Sequence, residues 1–243
     1  MAIENMFNFY IALVIVFAVG FLSYRMKLLD LAGSLGGILI GVLMIIFADY
    51  RWFLLLLIFF ILGGVFTRYR YEYKQSLGIV QEMRDYRNVL GNGFAALCMA
   101  VSYGLFDGNN IFLFGFLGAI ATATADTLAT EIGETGSPHP RLITNLKPTK
   151  PGTNGAISIL GELSAILGSA VIALSAVIMG IGTDFTLGFL ILVTVSGGFF
   201  GTNIDSLLGA TLEERGILTN NTVNLSGTFL GALVSIGVYL WFI

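Results

Sequence analysis

The chain has 243 residues, of which 56% are hydrophobic and 11% charged, with a formal net charge of −3 and a mean hydropathy of +0.88. Soluble domains carry about 25% charged residues, so this composition excludes a water-soluble fold, and the net acidity argues against a nucleic-acid binder. One cysteine, Cys98, in an apolar run excludes a disulfide framework and a Cys-based metal site.

Runs of about 20 apolar residues cross a bilayer as helices, because lipid offers no partner to unpaired backbone groups. They predict an all-α integral membrane protein of about eight transmembrane helices: roughly 7–24, 31–48, 52–67, 88–105, 111–126, 155–181, 185–206 and 224–242. These form a single polytopic membrane domain over 1–243, with four spans in residues 1–105 and helical hairpins in 111–181 and 185–243. The first span has no basic leader and no small-residue cleavage site, so no cleaved signal peptide is expected. The second opens on Gly33-Ser34-Leu35-Gly36-Gly37, a composition suited to close helix packing. The connection at about 68–87 is rich in Arg, Lys and Tyr (Arg68, Tyr69, Arg70, Tyr71, Tyr73, Lys74). It reads as an anchor to membrane lipid headgroups, with Arg84 and Arg87 as alternative contacts for a substrate phosphate. The fourth span opens on Arg87-Asn88-Val89-Leu90-Gly91-Asn92-Gly93. Asn88 and Asn92 are one turn apart and face the same way, toward a ligand, a metal-bound water or another helix.

Eleven of the twelve Lys and Arg residues lie in alternate connections, the exception being Arg51. The positive-inside rule makes those connections cytoplasmic and puts both termini outside, in the plasma membrane of a prokaryote.

Two stretches repeat. Asp126-Thr127-Leu128 ends the fifth span and Asp205-Ser206-Leu207 the seventh, each with a Gly eight residues before the Asp (Gly118, Gly197) and a Glu eight after it (Glu134, Glu213). The hairpins they begin have the same orientation, so a pseudo-two-fold site between them is expected. The echo continues in Leu142-Ile143-Thr144-Asn145 and Ile217-Leu218-Thr219-Asn220.

The fifth connection holds all four prolines and the only histidine, His139, which forms no zinc or Ser-His-Asp constellation. From Lys147 it reads K-P-T-K-P-G-T-N-G-A-I-S. Gly152 and Gly155 permit close backbone approach. Lys147 and Lys150 supply cations, and Thr149, Thr153, Asn154 and Ser158 supply polar groups. The sixth helix follows at once, so its free N–H groups point into the loop. The set suits a phosphate or diphosphate; the alternative is a rigid loop whose lysines only enforce topology. Asp126 and Asp205, at the membrane boundary, require partners. A divalent cation such as Mg²⁺ binds through one or two carboxylates plus substrate phosphates; the alternative is ion pairing with Lys147 and Lys150. Asp126 and Glu131 lie about 140° apart on an ideal helix and share a metal only if the helix breaks between them. Glu162, inside the sixth span, is expected to face the protein interior.

The blocks 87–93, 125–133, 147–158 and G-T-N-I-D-S-L-L-G-A at 201–210 together resemble an integral-membrane family of largely uncharacterised proteins. That family includes the plant phytyl-phosphate kinase of tocopherol synthesis. The resemblance implies nucleotide-dependent phosphorylation of an isoprenyl monophosphate, such as phytyl or geranylgeranyl phosphate, to its diphosphate, with CTP as the expected donor. It implies that Asp126 and Asp205 hold Mg²⁺, with Glu131 in support. Lys147, Lys150 and the Gly152–Gly155 backbone would then hold nucleotide phosphates, and Asn88 and Asn92 would finish the pocket. The isoprenoid tail would lie between helices or in lipid, and a homo-oligomer is compatible with this reading. A CTP:lipid-phosphate cytidylyltransferase and a small membrane transporter are the competing readings.

Overall fold

The protein is described by a computed structural model covering residues 2–78 and 84–243. Residues 79–83, within the 68–87 connection, lie outside the described residues. The expected spans are all helices: α1 (Ala2–Arg25), α2 (Leu31–Phe47), α3 (Tyr50–Arg68), α5 (Tyr86–Leu105), α6 (Asn110–Gly136), α7 (Ile159–Ile178), α8 (Leu187–Leu208) and α9 (Asn220–Phe242). A short helix, α4 (Tyr71–Leu77), stands between α3 and α5. Among the described residues, seven helices are long and apolar enough to cross a membrane. The exception, α2, has 17 residues, about 26 Å of helix against a hydrocarbon core of about 30 Å.

Polar residues start these helices. Asp30, Asp49, Asp85, Asn109, Ser158, Thr186 and Thr219 each accept a backbone N–H of the first turn. Such caps satisfy donors that lipid would leave unpaired. At one end, the α1–α2 and α4–α5 connections are joined where Asp30 N–H donates to Arg84 O at 3.1 Å. At the other end, Arg51 pairs with Asp49 and donates to the carbonyls of Met179 and Gly180 at 3.3 and 3.2 Å. The connections therefore alternate between two ends, and the basic ones gather at the first.

α6 is the axis. Every residue from Leu113 to Ala125 is buried, as for a helix surrounded by others. α7, α8 and α9 pack around it, with α3 and α5 completing the ring. The repeat accounts for the tightest crossing. A Cβ on Gly197 would stand 3.0 Å from the Gly118 Cα and 2.8 Å from the Gly231 carbonyl oxygen, so α6, α8 and α9 meet backbone to backbone. Thr122 donates to the Gly118 and Gly197 carbonyls at 2.8 and 3.1 Å, the interhelical bonding expected where small residues meet in a membrane. Toward the opposite end the core becomes aromatic: Phe114, Phe185, Phe189 and Tyr239 cluster on one side, and Trp52, Tyr103 and Phe116 on the other.

Three differences from expectation shape the cavity end. α6 runs ten residues past Asp126, because its polar continuation is covered on one side by α3 and α4 and lines a cavity on the other. α7 starts at Ile159 rather than 155, placing Glu162 in its first turn instead of well inside the span. α8 passes into a π-helical turn at Gly209–Glu213.

Candidate functional site

At the end where the basic connections gather, a cavity of about 760 Å³ opens between α5, α6, α8, α9 and the 137–158 connection. Its lining includes Asp126 and Asp205. Both follow from one pattern. Residues 118, 122, 126, 130 and 134 form an i, i+4 stripe on α6, and 197, 201 and 205 form its counterpart on α8. Once Gly118 meets Gly197, the two aspartates are carried to the same height across the cavity. Thr202 donates to Asp126 Oδ1 at 3.0 Å. Asp205 lies against Gly227 of α9, where a Cβ would stand 2.9 Å from Oδ2, so a side chain at 227 would displace the carboxylate. Glu134 and Glu213, the paired glutamates, also line the cavity, the latter on the π-turn. Such turns recur at functional sites.

The 137–158 connection forms another wall. Strands β1 (Arg141–Leu142) and β2 (Ala156–Ile157) pair antiparallel, Arg141 opposite Ile157. Arg141 also bridges Pro148. Gly152 and Gly155 have φ of +80° and +73°, the left-handed region glycine adopts without strain. Gly155 is required twice over, since a Cβ there would stand 2.5 Å from the Ser206 carbonyl oxygen and 2.8 Å from Ala210 N. Gly152, Thr153, Asn154, Gly155 and Ser158 all face the cavity. Ser158 accepts the Gly161 N–H at 3.1 Å, capping α7, so a helix N-terminus points into this wall.

Asn88 and Asn92 line the cavity from α5. Three asparagines not anticipated from sequence join them from α9: Asn220, Asn221 and Asn224. The backbones approach because Gly91 has no side chain; a Cβ there would stand 2.8 Å from the Asn221 carbonyl oxygen. The available signal was an asparagine-rich start to a hydrophobic helix. The echo of Leu142–Asn145 in Ile217–Asn220 has no shared role, because Thr219 caps α9 directly whereas residues 142–145 lie in the β1 turn.

Four expected residues stand elsewhere. Lys147 and Lys150 are exposed and outside the cavity lining, as is the half-buried Thr149. The hairpin is the reason: Thr149 N–H donates to Pro140 O at 2.9 Å and its hydroxyl to Thr153 Oγ1 at 3.0 Å, turning this segment outward. Glu131 is not beside Asp126, because α6 is continuous between them and their side chains diverge. It is buried, paired with Lys74 of α4, and accepts from Thr67 at 2.7 Å. Lys74, placed by sequence among the headgroup anchors, also donates to the Phe66 and Thr67 carbonyls at 3.0 Å each. Its neighbours Tyr69, Tyr71 and Tyr73 are exposed, as an anchor requires. His139 and Arg87 are exposed.

Six acidic residues line the cavity (Asp85, Asp126, Glu134, Glu162, Asp205 and Glu213), with Arg84 as the one basic residue among the described ones. Asp85 is occupied in capping α5, and Glu162 accepts from Asn203 at 3.0 Å. The remaining carboxylates leave a negative excess that bound cations or protons would balance. Among the described residues no three His, Cys, Asp or Glu group as a metal site, so the protein supplies two carboxylates at most in one place. That donor set fits Mg²⁺ completed by substrate phosphates and does not fit zinc. Arg84 is held by Thr67, its Nη2 donating to Oγ1 at 3.1 Å. Burial pushes its guanidinium below the ordinary arginine value, and the Glu131 charge pulls it back. Among the described residues it forms no ion pair.

The chain is similar to an uncharacterised membrane protein of Methanocaldococcus jannaschii, 33% identical over 97% of this chain and 96% of the relative. A second, from Synechocystis, is 34% identical over 82% of this chain and 78% of its own length. The chloroplastic protein VTE6 of Arabidopsis thaliana is 27% identical over 76% of this chain and 57% of its own length. No solved structure matches. The model of the family described as integral membrane protein DUF92 matches residues 14–232, and the chain belongs to that family.

Proposed function

We propose that the protein is a Mg²⁺-dependent kinase that transfers the γ-phosphoryl group of a nucleoside triphosphate, CTP by preference, to an isoprenyl monophosphate. The observation that carries this reading is the meeting of two repeat-related aspartates, Asp126 and Asp205, in one polar cavity walled by a glycine-rich loop and a helix N-terminus. The motifs shared with the family that includes a plant phytyl-phosphate kinase support it, as does similarity to a chloroplastic protein. About 760 Å³ is within the range of small-molecule sites.

In this reading a phosphate oxygen of the lipid attacks the γ-phosphorus. The new O–P bond forms as the bond to the β–γ bridging oxygen breaks, and the nucleoside diphosphate leaves. Such transfers need positioning and charge neutralisation more than covalent chemistry, and the attacking oxygen is already an anion, so no general base is required. Asp126 and Asp205 would hold the Mg²⁺, which supplies neutralisation of the phosphates. The backbone of Gly152–Gly155 and the α7 N-terminus receive the nucleotide phosphates, while Thr153, Asn154 and Ser158 orient them. Arg84 takes the lipid phosphate, and Asn88 and Asn92 hydrogen-bond between the two. Lys147 and Lys150, at the exposed edge of the loop, attract the polyanion from solution. The positive-inside pattern puts this end in the cytoplasm, with both termini outside.

The test is label transfer from γ-labelled CTP, ATP, GTP or UTP to phytyl or geranylgeranyl monophosphate by protein in lipid with Mg²⁺. Label in a lipid diphosphate, absent with Asp126→Asn, is the expected result. Release of labelled diphosphate with formation of a nucleotidyl-lipid would replace the kinase with a cytidylyltransferase. No turnover with any pair would favour transport.

A further inference from the structure

An apolar groove of about 90 Å³ lies among α1, α2, α3 and α5. Its walls include Val16, Val19, Ile38, Phe53, Leu57 and Phe60. It adjoins the polar cavity, because Arg84, Asn88 and Asn92 line both. A half-buried cation and two amides therefore stand between an apolar groove and a polar cavity. Two further observations mark the groove as a place for a ligand. Ser34, 3% exposed, lines it, and its hydroxyl has no hydrogen-bond partner among the described residues, although buried polar groups are otherwise paired. Gly37 lines it from the middle of α2, with no heavy atom within 4 Å of where its Cβ would stand. Glycine destabilises a helix interior relative to alanine, and no neighbour within the protein demands one at 37.

We propose that this groove seats the first isoprene unit of the lipid monophosphate, with Arg84 on the phosphate, Ser34 as donor to the polar head, and the rest of the chain in the bilayer. About 90 Å³ equals about three water volumes, enough for the start of a hydrocarbon chain and not for its length. The substrate then comes from the membrane beside α1 and α2, while the nucleotide comes from the aqueous side beside the 137–158 connection. The groove would discriminate at the first isoprene unit and leave chain length unselected. This inference rests on the lipid-phosphate reading of the cavity.

The experiment uses the full chain in nanodiscs and a geranylgeranyl monophosphate bearing a diazirine on its first isoprene unit. Crosslinks are expected at Val16, Ile38 or Phe60. They should be competed by geranylgeranyl monophosphate and not by phosphatidic acid. Gly37→Phe should lower labelling at least tenfold, whereas Gly64→Phe, on α3 outside the groove with equally open space at its Cβ, should leave it unchanged. Labelling confined to the outer faces of α7–α9, or equal competition by phosphatidic acid, would overturn the groove. Should Gly37→Phe fail to fold, the crosslink map of the unaltered protein decides alone. Groove labelling without turnover of any nucleotide would remove the kinase and keep the groove; turnover with labelling elsewhere would do the reverse.

Discussion

The two hairpins α6–α7 and α8–α9 share a frame and differ in everything attached to it. Their aspartates occupy equivalent positions because glycines at 118 and 197 let the helices cross in register. Beyond the aspartates they diverge. α6 stays α-helical to Gly136 and is followed by a 22-residue connection containing a β-hairpin, whereas α8 ends in a π-turn and a short link to α9. Glu131, tied to Lys74, has Ala210 as its counterpart 79 residues on. Symmetry thus supplies the paired acids, and asymmetry distinguishes one side of the cavity from the other. The proposed transfer between two unlike phosphate groups would use that distinction, which two identical hairpins would lack.

The equivalence of the acids is the first thing to test. Asp126→Asn and Asp205→Asn should each lower kcat by about 10³-fold, or about 4 kcal/mol of lost transition-state stabilisation, with both proteins still folded by size-exclusion chromatography. Near-normal turnover in one of them would remove that carboxylate from the proposed metal site. Glu131→Gln addresses the asymmetry. It leaves the Lys74 ammonium buried without a counter-charge and should cost about 3 kcal/mol of stability, read as a lowered unfolding midpoint in detergent; an unchanged midpoint would remove the pair from the structural account. Gly201→Ala probes the shared frame. The new methyl would collide with Thr122, and overpacking of this kind costs about 1–3 kcal/mol, whereas Gly64→Ala should cost nothing. Smallest is Lys150→Ala, which removes an exposed charge from the loop unique to the first hairpin. It should raise the nucleotide KM about twofold at low salt, and the effect should vanish at high ionic strength. A larger effect that persists in salt would place this lysine on the nucleotide itself.

The sequence made the helices and the paired aspartates legible, since both rest on local patterns: hydrophobic runs for the spans, and glycine and aspartate at i, i+4 spacing for the crossing. What depends on distant partners was not visible. The exposure of Lys147 and Lys150 follows from strand pairing between 141–142 and 156–157, and nothing local distinguishes an outward lysine from a phosphate ligand. Glu131 reads as a third acid of the site until Lys74, 57 residues earlier, is found beside it. The helical angle between Asp126 and Glu131 was the warning the sequence did contain. The α9 asparagines reach the cavity only because Gly91 admits α9 to α5.

The crossing at Gly118, Gly197 and Gly231 has an electrical meaning as well. Backbone lies against backbone there, and the aromatic cluster around Phe114 and Tyr239 fills the space toward the opposite end. A negatively charged chamber open at one end of the bundle would short-circuit the membrane if it opened through to the other side. Three missing side chains hold the helices too close for a file of water, so the protein can concentrate charge at one surface while the bilayer keeps its voltage.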